Sequence, residues 1–186
     1  MNNTTLNPIS SSFADEWLEA WRFAAEVHNA QKVPGTDLPY LRHLGMVTME
    51  IFTAHTINPI SDISLAVRCA ILHDTIEDQD IAYEELVKRF GQEVANGVLA
   101  LSKNSDLPKS AAMEDSLSRI RAQPTAVWCV KLADRISNLH DVPAHWTAEK
   151  CETYRAEAQK ILHELGSAHD ALAIRLAAKI KAYTKT

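Results

Sequence analysis

Within residues 70–78 an apolar helical run ends abruptly in four ionisable side chains, His73, Asp74, Glu77 and Asp78. A helix of 3.6 residues per turn carried through this stretch stacks His73 and Glu77 on one face as an i, i+4 pair. Asp74 and Asp78 form a second such pair about 100° around. Three carboxylates so close together repel one another unless a cation sits among them or a proton is shared, so the spacing asks for positive charge. The residues leading into it, Ile63, Leu65, Ala66, Val67, Cys69, Ala70, Ile71 and Leu72, are apolar around nearly the whole circumference. Such a helix has to be central and buried, and the rest of the chain has to wrap around it while leaving its charged end accessible.

The remaining segments suit that task. Five glycines and seven prolines are few for 186 residues, and Ala, Leu, Glu, Lys and Arg fill the periodic stretches. The expectation is an all-α helical bundle forming a single domain over residues 1–186, with residues 1–12 as a flexible N-terminal segment. Helices are predicted over 13–30, 40–55, from Asp62 through the charged stretch, 83–90, 92–101, 111–122, from Ala126 towards Pro143, 147–165 and 169–183. Residues 126–134 repeat the central design, an apolar helix delivering an acid, Asp134. The three cysteines, Cys69, Cys129 and Cys151, each fall inside an apolar-periodic segment and read as reduced core residues. A net charge of −5 argues against a general nucleic-acid binder. With no signal-peptide pattern and no run of about 20 apolar residues, a cytoplasmic protein without a membrane partner is expected.

Imidazole and carboxylate together suit a first-row divalent ion, and His43, His73, Asp74 and Asp134 are the four side chains best placed to hold one. Asp134 enters because a buried, unpaired aspartate is costly and requires a partner. Lys131 or Arg135 could equally be that partner, since a charge pair also satisfies a buried acid. The other two His-Asp doublets, His140-Asp141 and His169-Asp170, lie at helix ends without a downstream acidic pair and read as surface or capping residues. His28 and His55 fall on partly apolar helix faces, where a hydrogen-bonded structural histidine is expected.

Three stretches together, Pro39-Tyr40-Leu41-Arg42-His43, His73-Asp74-Thr75-Ile76-Glu77-Asp78 and Lys131-Leu132-Ala133-Asp134-Arg135-Ile136-Ser137-Asn138-Leu139, resemble the signatures of the HD-domain phosphohydrolases. More narrowly, they resemble the hydrolase domain of RelA/SpoT-type alarmone enzymes, in the same order and over about residues 18–183. The resemblance implies an all-α HD-domain bundle with one manganese ion, other divalent ions being possible. It also implies hydrolysis of the 3′-pyrophosphate of guanosine tetra- or pentaphosphate to GDP or GTP and pyrophosphate. By it, His43, His73, Asp74 and Asp134 would be the ligands, Glu77 and Asp78 the catalytic acidic pair, and Asn138 a nucleotide contact. The chain has no room for a synthetase or regulatory domain, so it is similar to a stand-alone small alarmone hydrolase of the metazoan SpoT-like kind.

A polyphosphate substrate also needs cationic partners. Lys32, Lys103, Lys109 and Lys150 lie in or beside loops flanking the signatures and are candidate phosphate contacts, and Tyr154 can help close the pocket. The family usually has an Arg-containing loop before the first signature, whereas residues 31–38 contain no arginine. Adenosine analogues of the alarmones are therefore expected substrates as well. Two rival readings remain, another HD-domain phosphohydrolase such as a 5′-nucleotidase or an NADPH phosphatase, and a metal-structured nucleotide sensor without turnover.

Overall fold

The computed structural model describes residues 11–104 and 106–184, with side chains from Phe13 onward except those of Lys109 and Ser110. It is a bundle of ten α-helices: α1 Ser11–Val27, α2 Leu41–Ile57, α3 Ile63–Leu72, α4 Thr75–Gln79, α5 Tyr83–Phe90, α6 Gln92–Leu101, α7 Lys109–Arg121, α8 Thr125–Asn138, α9 Ala148–Leu165 and α10 Asp170–Ala182. A single 3-10 turn, Gly166–Ala168, links the last two. No regular strand forms among the described residues, which carry one isolated bridge between Lys32 and Pro39. Among the described residues no helix is long and apolar enough to cross a membrane. Residues 1–10 of the expected flexible segment lie outside the described residues, while Ser11 and Ser12 belong to α1.

The two apolar runs form the centre. In α3, Ser64, Leu65, Ala66, Val67, Cys69, Ala70, Ile71 and Leu72 are all buried, leaving only Ile63 and Arg68 partly exposed. Helix α8 buries Ala126, Val127, Cys129, Val130, Leu132 and Ala133 and continues with Asp134, Arg135, Ile136 and Ser137. They pack on each other and on α2, with α1 and α6 flanking α3, and α9 and α10 flanking α8. Burying an unbroken apolar cylinder from all sides is the favourable outcome for such sequences, because each large aliphatic side chain taken out of water contributes about 1.5–3 kcal/mol.

The helix ends follow local chemistry. Asp62 caps α3 by accepting from the Leu65 amide, and Thr147 caps α9 by accepting from that of Lys150. Gly91, at φ +85°, lets the chain turn from α5 into α6 without a pause. At the far end of α6, Arg119 of α7 donates to the carbonyls of Leu99, Ala100 and Ser102, capping that helix and fixing where Lys103 emerges. Where α6 crosses the centre, Gly97 meets α3 and α8 so closely that a Cβ there would stand 2.7 Å from Cys69 Sγ and 3.1 Å from a Val127 methyl.

Two predicted elements are corrected. The apolar run does not continue as a helix through residue 78. Helix α3 stops at Leu72, His73 and Asp74 form a turn, and the five-residue α4 starts anew at Thr75. The Thr75 hydroxyl donates to the Leu72 carbonyl at 2.7 Å, taking up an acceptor freed at the end of α3. The first helix also ends earlier than predicted, at Val27, with residues 28–30 in a turn.

Candidate active site and metal centre

The break in the helix turns His73 and Asp74 towards the N-terminal end of α2 and the C-terminal half of α8. His43 Nε2 and His73 Nε2 lie 3.3 Å apart. Asp134 Oδ1 is 3.5 Å from the first and 3.8 Å from the second. Asp74 Oδ2 is 2.9 Å from His73 Nε2 and 3.6 Å from His43 Nε2. Donors bound to one first-row ion at about 2.1 Å stand roughly 3.0–3.5 Å apart, and the separations among His43, His73 and Asp134, 3.3–3.8 Å, come close to that. His43, His73 and Asp134 are buried with their donor atoms all within 4.8 Å of one another, which marks a divalent metal site.

The protonation pattern fits the same ion. His73 Nδ1 lies 3.0 Å from the Ala70 carbonyl, which can only accept, so Nδ1 carries a proton and Nε2 faces the centre. His43 Nδ1 is 3.3 Å from Ser137 Oγ, which again leaves Nε2 inward. Burial pulls the His73 pKa down, but the charge and hydrogen bond of Asp74, with the charge of Asp134, overcome it and raise it to about 9. Burial likewise pushes Asp74 up, yet His73 and then His43 hold its carboxyl below the ordinary range. For Asp134 burial is outweighed by Lys131, then by the histidines, again with a lowered pKa. Two carboxylates thus stay ionised in a buried place and draw a positive charge between them, a role that a metal ion fills by displacing a proton.

Asp134 satisfies both sequence readings at once. Oδ1 faces the histidines and accepts from Asn138 Nδ2 at 2.6 Å, while Oδ2 accepts from Lys131 Nζ at 2.9 Å. Arg135 takes no part in this. It is buried behind the site with its guanidinium 4.1 Å from the Tyr154 ring centre.

Two cavities open on the centre. One of about 320 Å³ is lined by Asp74, Glu77, Asp78, Lys103, Lys131 and Asp134 together with Gln31 and Tyr40. The other, of about 530 Å³, lies between residues 33–36 and 140–146, with Arg42, His140, Trp146 and Tyr154 in its wall. Val33, Pro34, His43 and Asn138 belong to both, so the two join beside the metal ligands. Across the smaller cavity, Lys103 donates to Glu77 through both its backbone amide, at 2.9 Å, and its ammonium, at 2.7 Å.

The other expected residues are distributed unevenly. Asn138 sits at the junction, Lys103 in the smaller cavity and Tyr154 in the larger one. Lys150 lines neither cavity, but its ammonium lies 4.5 Å from the ring centre of Trp146, which does. Lys32 is exposed, its backbone paired with Pro39, and lines neither. The Lys109 side chain lies outside the described residues. His140, expected at the surface, is half exposed yet borders the larger cavity. His169, expected at the surface or as a cap, stands at the N-cap position of α10 but is buried, and its Nε2 donates to the Asn58 carbonyl at 2.9 Å. His55 accepts from the Ile60 amide through Nδ1, a structural bond as expected.

Sequence reasoning assigns no role to Tyr40 or Gln31. Tyr40 donates to Asp74 Oδ2 at 2.6 Å and stacks on His28, and Gln31 donates to Asp78 Oδ2 at 2.7 Å. Burial and then the Asp74 charge raise the Tyr40 pKa, keeping it a donor. Its position three residues before His43 in one short motif was the available signal; for Gln31 there was none.

The chain is similar to several known proteins. The family model described as the HD domain matches residues 20–172. A guanosine-3′,5′-bis(diphosphate) 3′-pyrophosphohydrolase MESH1 of Xenopus tropicalis is 32% identical over 161 residues, which cover 83% of this chain and 87% of the relative. Its counterpart of the same name in Danio rerio is 30% identical over 165 residues, covering 86% and 89%. A solved structure described as a metazoan ortholog of SpoT that hydrolyzes ppGpp shares the fold, with a TM-score of 0.77 at 24% identity over 90% of this chain and 94% of that one.

Proposed function

This chain belongs to the HD-domain family, and from that premise we propose that it is a metal-dependent hydrolase removing the 3′-pyrophosphate of (p)ppGpp-type alarmones. The products are GDP or GTP and pyrophosphate. The observation that carries the reading is the convergence of His43, His73 and Asp134 where two cavities meet, with an acid–lysine pair on the facing wall. The relatives named MESH1 carry this activity in their names, and the chain spans most of their length.

His43, His73, Asp74 and Asp134 would hold the ion, with manganese as the proposed metal. When bound, such an ion lowers the pKa of water and screens phosphate charge. The side chains around it supply the rest. Glu77 takes the proton of the attacking water, and Asp78 orients that water. The Glu77 carboxylate is free to do so once the Lys103 ammonium swings from Oε1 to a phosphate oxygen; the backbone amide of Lys103 keeps Oε2 in place. The water oxygen bonds to the phosphorus attached to the 3′ oxygen, the bond between that phosphorus and the 3′ oxygen breaks to release pyrophosphate, and the proton taken by Glu77 is returned to leave a 3′ hydroxyl on the nucleotide. Asn138, at the junction, contacts the nucleotide, and the larger cavity takes the nucleoside against Tyr154, with Lys150 at its outer edge. A volume of about 530 Å³ lies within the range of nucleoside-sized ligand pockets. The chain acts as one hydrolase domain, and guanosine and adenosine alarmones are both substrates.

The test is incubation of purified, manganese-loaded protein with guanosine and adenosine 3′-pyrophosphates, NADPH and nucleoside monophosphates, with products separated by chromatography. Pyrophosphate released from the alarmones supports the proposal. Orthophosphate released from NADPH or the monophosphates, with the alarmones untouched, makes it another kind of phosphohydrolase. Binding without any product makes it a sensor.

A further inference from the structure

Asp78 is exposed on a five-residue helix, among three other acids, Asp74, Glu77 and Asp80. A short side chain there samples several rotamers unless something holds it. Gln31 does, from the turn after α1, by donating from Nε2 to Asp78 Oδ2 at 2.7 Å.

The direction of this bond is settled by chemistry on the other side of the amide. Gln31 Oε1 lies 2.5 Å from His28 Nδ1 and 2.6 Å from Gln79 Nε2. Gln79 Nε2 is a donor and a carbonyl oxygen can only accept, so His28 presents Nδ1–H and Gln31 has its NH₂ group left for Asp78. The backbone pins the residue as well: the Gln31 amide donates to the His28 carbonyl, and the Tyr40 amide donates to the Gln31 carbonyl, each at 3.0 Å. His28 itself is 1% exposed, and its Nε2 is buried without a hydrogen-bond partner among the described residues. An imidazole kept inside with one nitrogen unsatisfied is a costly choice where an aliphatic side chain could fill the space. What it provides is the Nδ1–H that orients Gln31. Its ring also stacks on Tyr40, with centroids 5.2 Å apart, and Tyr40 holds Asp74. Gln31 carries no charge, so it aims the Asp78 carboxylate without neutralising it, as a lysine or arginine would.

We propose that Gln31, oriented by the buried His28, is the positioning residue that aims Asp78 into the cavity lined by His43, Asp74 and Asp134. The inference rests on the hydrolase reading, in which Asp78 orients the water.

The experiment is a double-mutant cycle on the manganese-loaded protein, read in kcat, KM and metal content. Gln31→Met is expected to lower kcat by about 10- to 100-fold, with KM changed less than about threefold and the metal retained. His28→Leu acts in the same direction, and His28→Asn, which restores an N–H near Nδ1, recovers most of the loss. In an Asp78→Ala background, Gln31→Met costs less than about twofold more, because its target is gone. Losses that multiply instead, or a Gln31→Met protein that differs only in KM, overturn the proposal. A second measurement does not need turnover. In magnesium-loaded, ¹⁵N-labelled protein, Asp78→Ala shifts the side-chain amide signals of Gln31 and the Nδ1–H signal of His28 while most other signals stay put. Unmoved signals there overturn the linkage, whereas a wild-type protein inert towards alarmones removes the hydrolase reading and leaves the linkage to stand or fall on these shifts.

Discussion

Lys103 holds both oxygens of the Glu77 carboxylate, one through its main chain and one through its side chain. A single residue therefore fixes the proposed base in place and also covers the oxygen that must be exposed before it can accept a proton. If Glu77 is the base, Glu77→Gln keeps the metal and the fold but loses about 10²- to 10⁴-fold in kcat. A near-normal rate would reassign Glu77 to a supporting role.

The same pair makes Lys103→Ala informative. Its ammonium is the cation of the smaller cavity that can leave its partner for a phosphate, whereas Lys131 is tied to the buried Asp134. We expect Lys103→Ala to raise KM for guanosine and adenosine alarmones by the same factor, because a phosphate contact cannot sense the base. A change confined to one nucleotide in parallel kinetics would place Lys103 near the base instead.

Base choice itself should be weak. The loop over residues 31–38 has no arginine, so under the proposed function recognition would rest on phosphates and ribose. A missing base-specific hydrogen bond is worth about 1–3 kcal/mol, so kcat/KM for the two 3′-pyrophosphorylated nucleotides should differ by less than about 100-fold. A ratio beyond about 1000 would show that groups in the larger cavity, such as Arg42 or His140, read the base edge.

Removing the metal should destabilise the protein. Asp74 and Asp134 are held ionised beside each other and the two histidines, and an ion present at one hundred times its Kd contributes about 2.7 kcal/mol. For a chain of this size that corresponds to a fall in Tm of roughly 5–10 °C on chelation. Asp74→Ala should show the lower Tm with or without chelator and little bound metal by elemental analysis. Full metal occupancy in that variant would remove Asp74 from the ligand set.

The thiols should be silent. Cys69, Cys129 and Cys151 are buried, and burial pushes the first two up to about 12, so at pH 8 almost none of either is thiolate. A disulfide exchange reagent is expected to find no fast-reacting thiol in the native protein and three after unfolding. A rapid native reaction would show that the helices around α3 or α8 open readily.

The helices and the central pair α3 and α8 were legible in the sequence, since periodicity and breakers such as Pro124 and Gly91 act locally. Three of the four expected ligands, His43, His73 and Asp134, come together in one cluster able to hold a metal ion, and Asp74 lies beside it against His73. The break between Leu72 and Thr75 could not be read from the sequence, because no glycine or proline marks it; it is held by the Thr75 hydroxyl and by the distant partners Tyr40 on Asp74 and His43 on His73. The chain of contacts from His28 through Gln31 to Asp78 depends on a pair, Gln31 and Asp78, 47 residues apart in sequence, and such pairings have no periodic signature. Lys32 and Lys150 show the limit from the other side. Proximity to a motif along the chain did not place either in a cavity wall.

Gly97 gives the site a vulnerability far from its chemistry. The three helices that meet at this residue are those that lead into His73, Lys103 and Asp134, so a methyl group there is a wedge driven into the hinge of a three-jawed chuck. Overfilling a close-packed crossing costs about 1–3 kcal/mol and is relieved by backbone shifts, which here spread to all three jaws together. A geneticist collecting inactive alleles would therefore find position 97 among them and could mistake a spacer for a reagent.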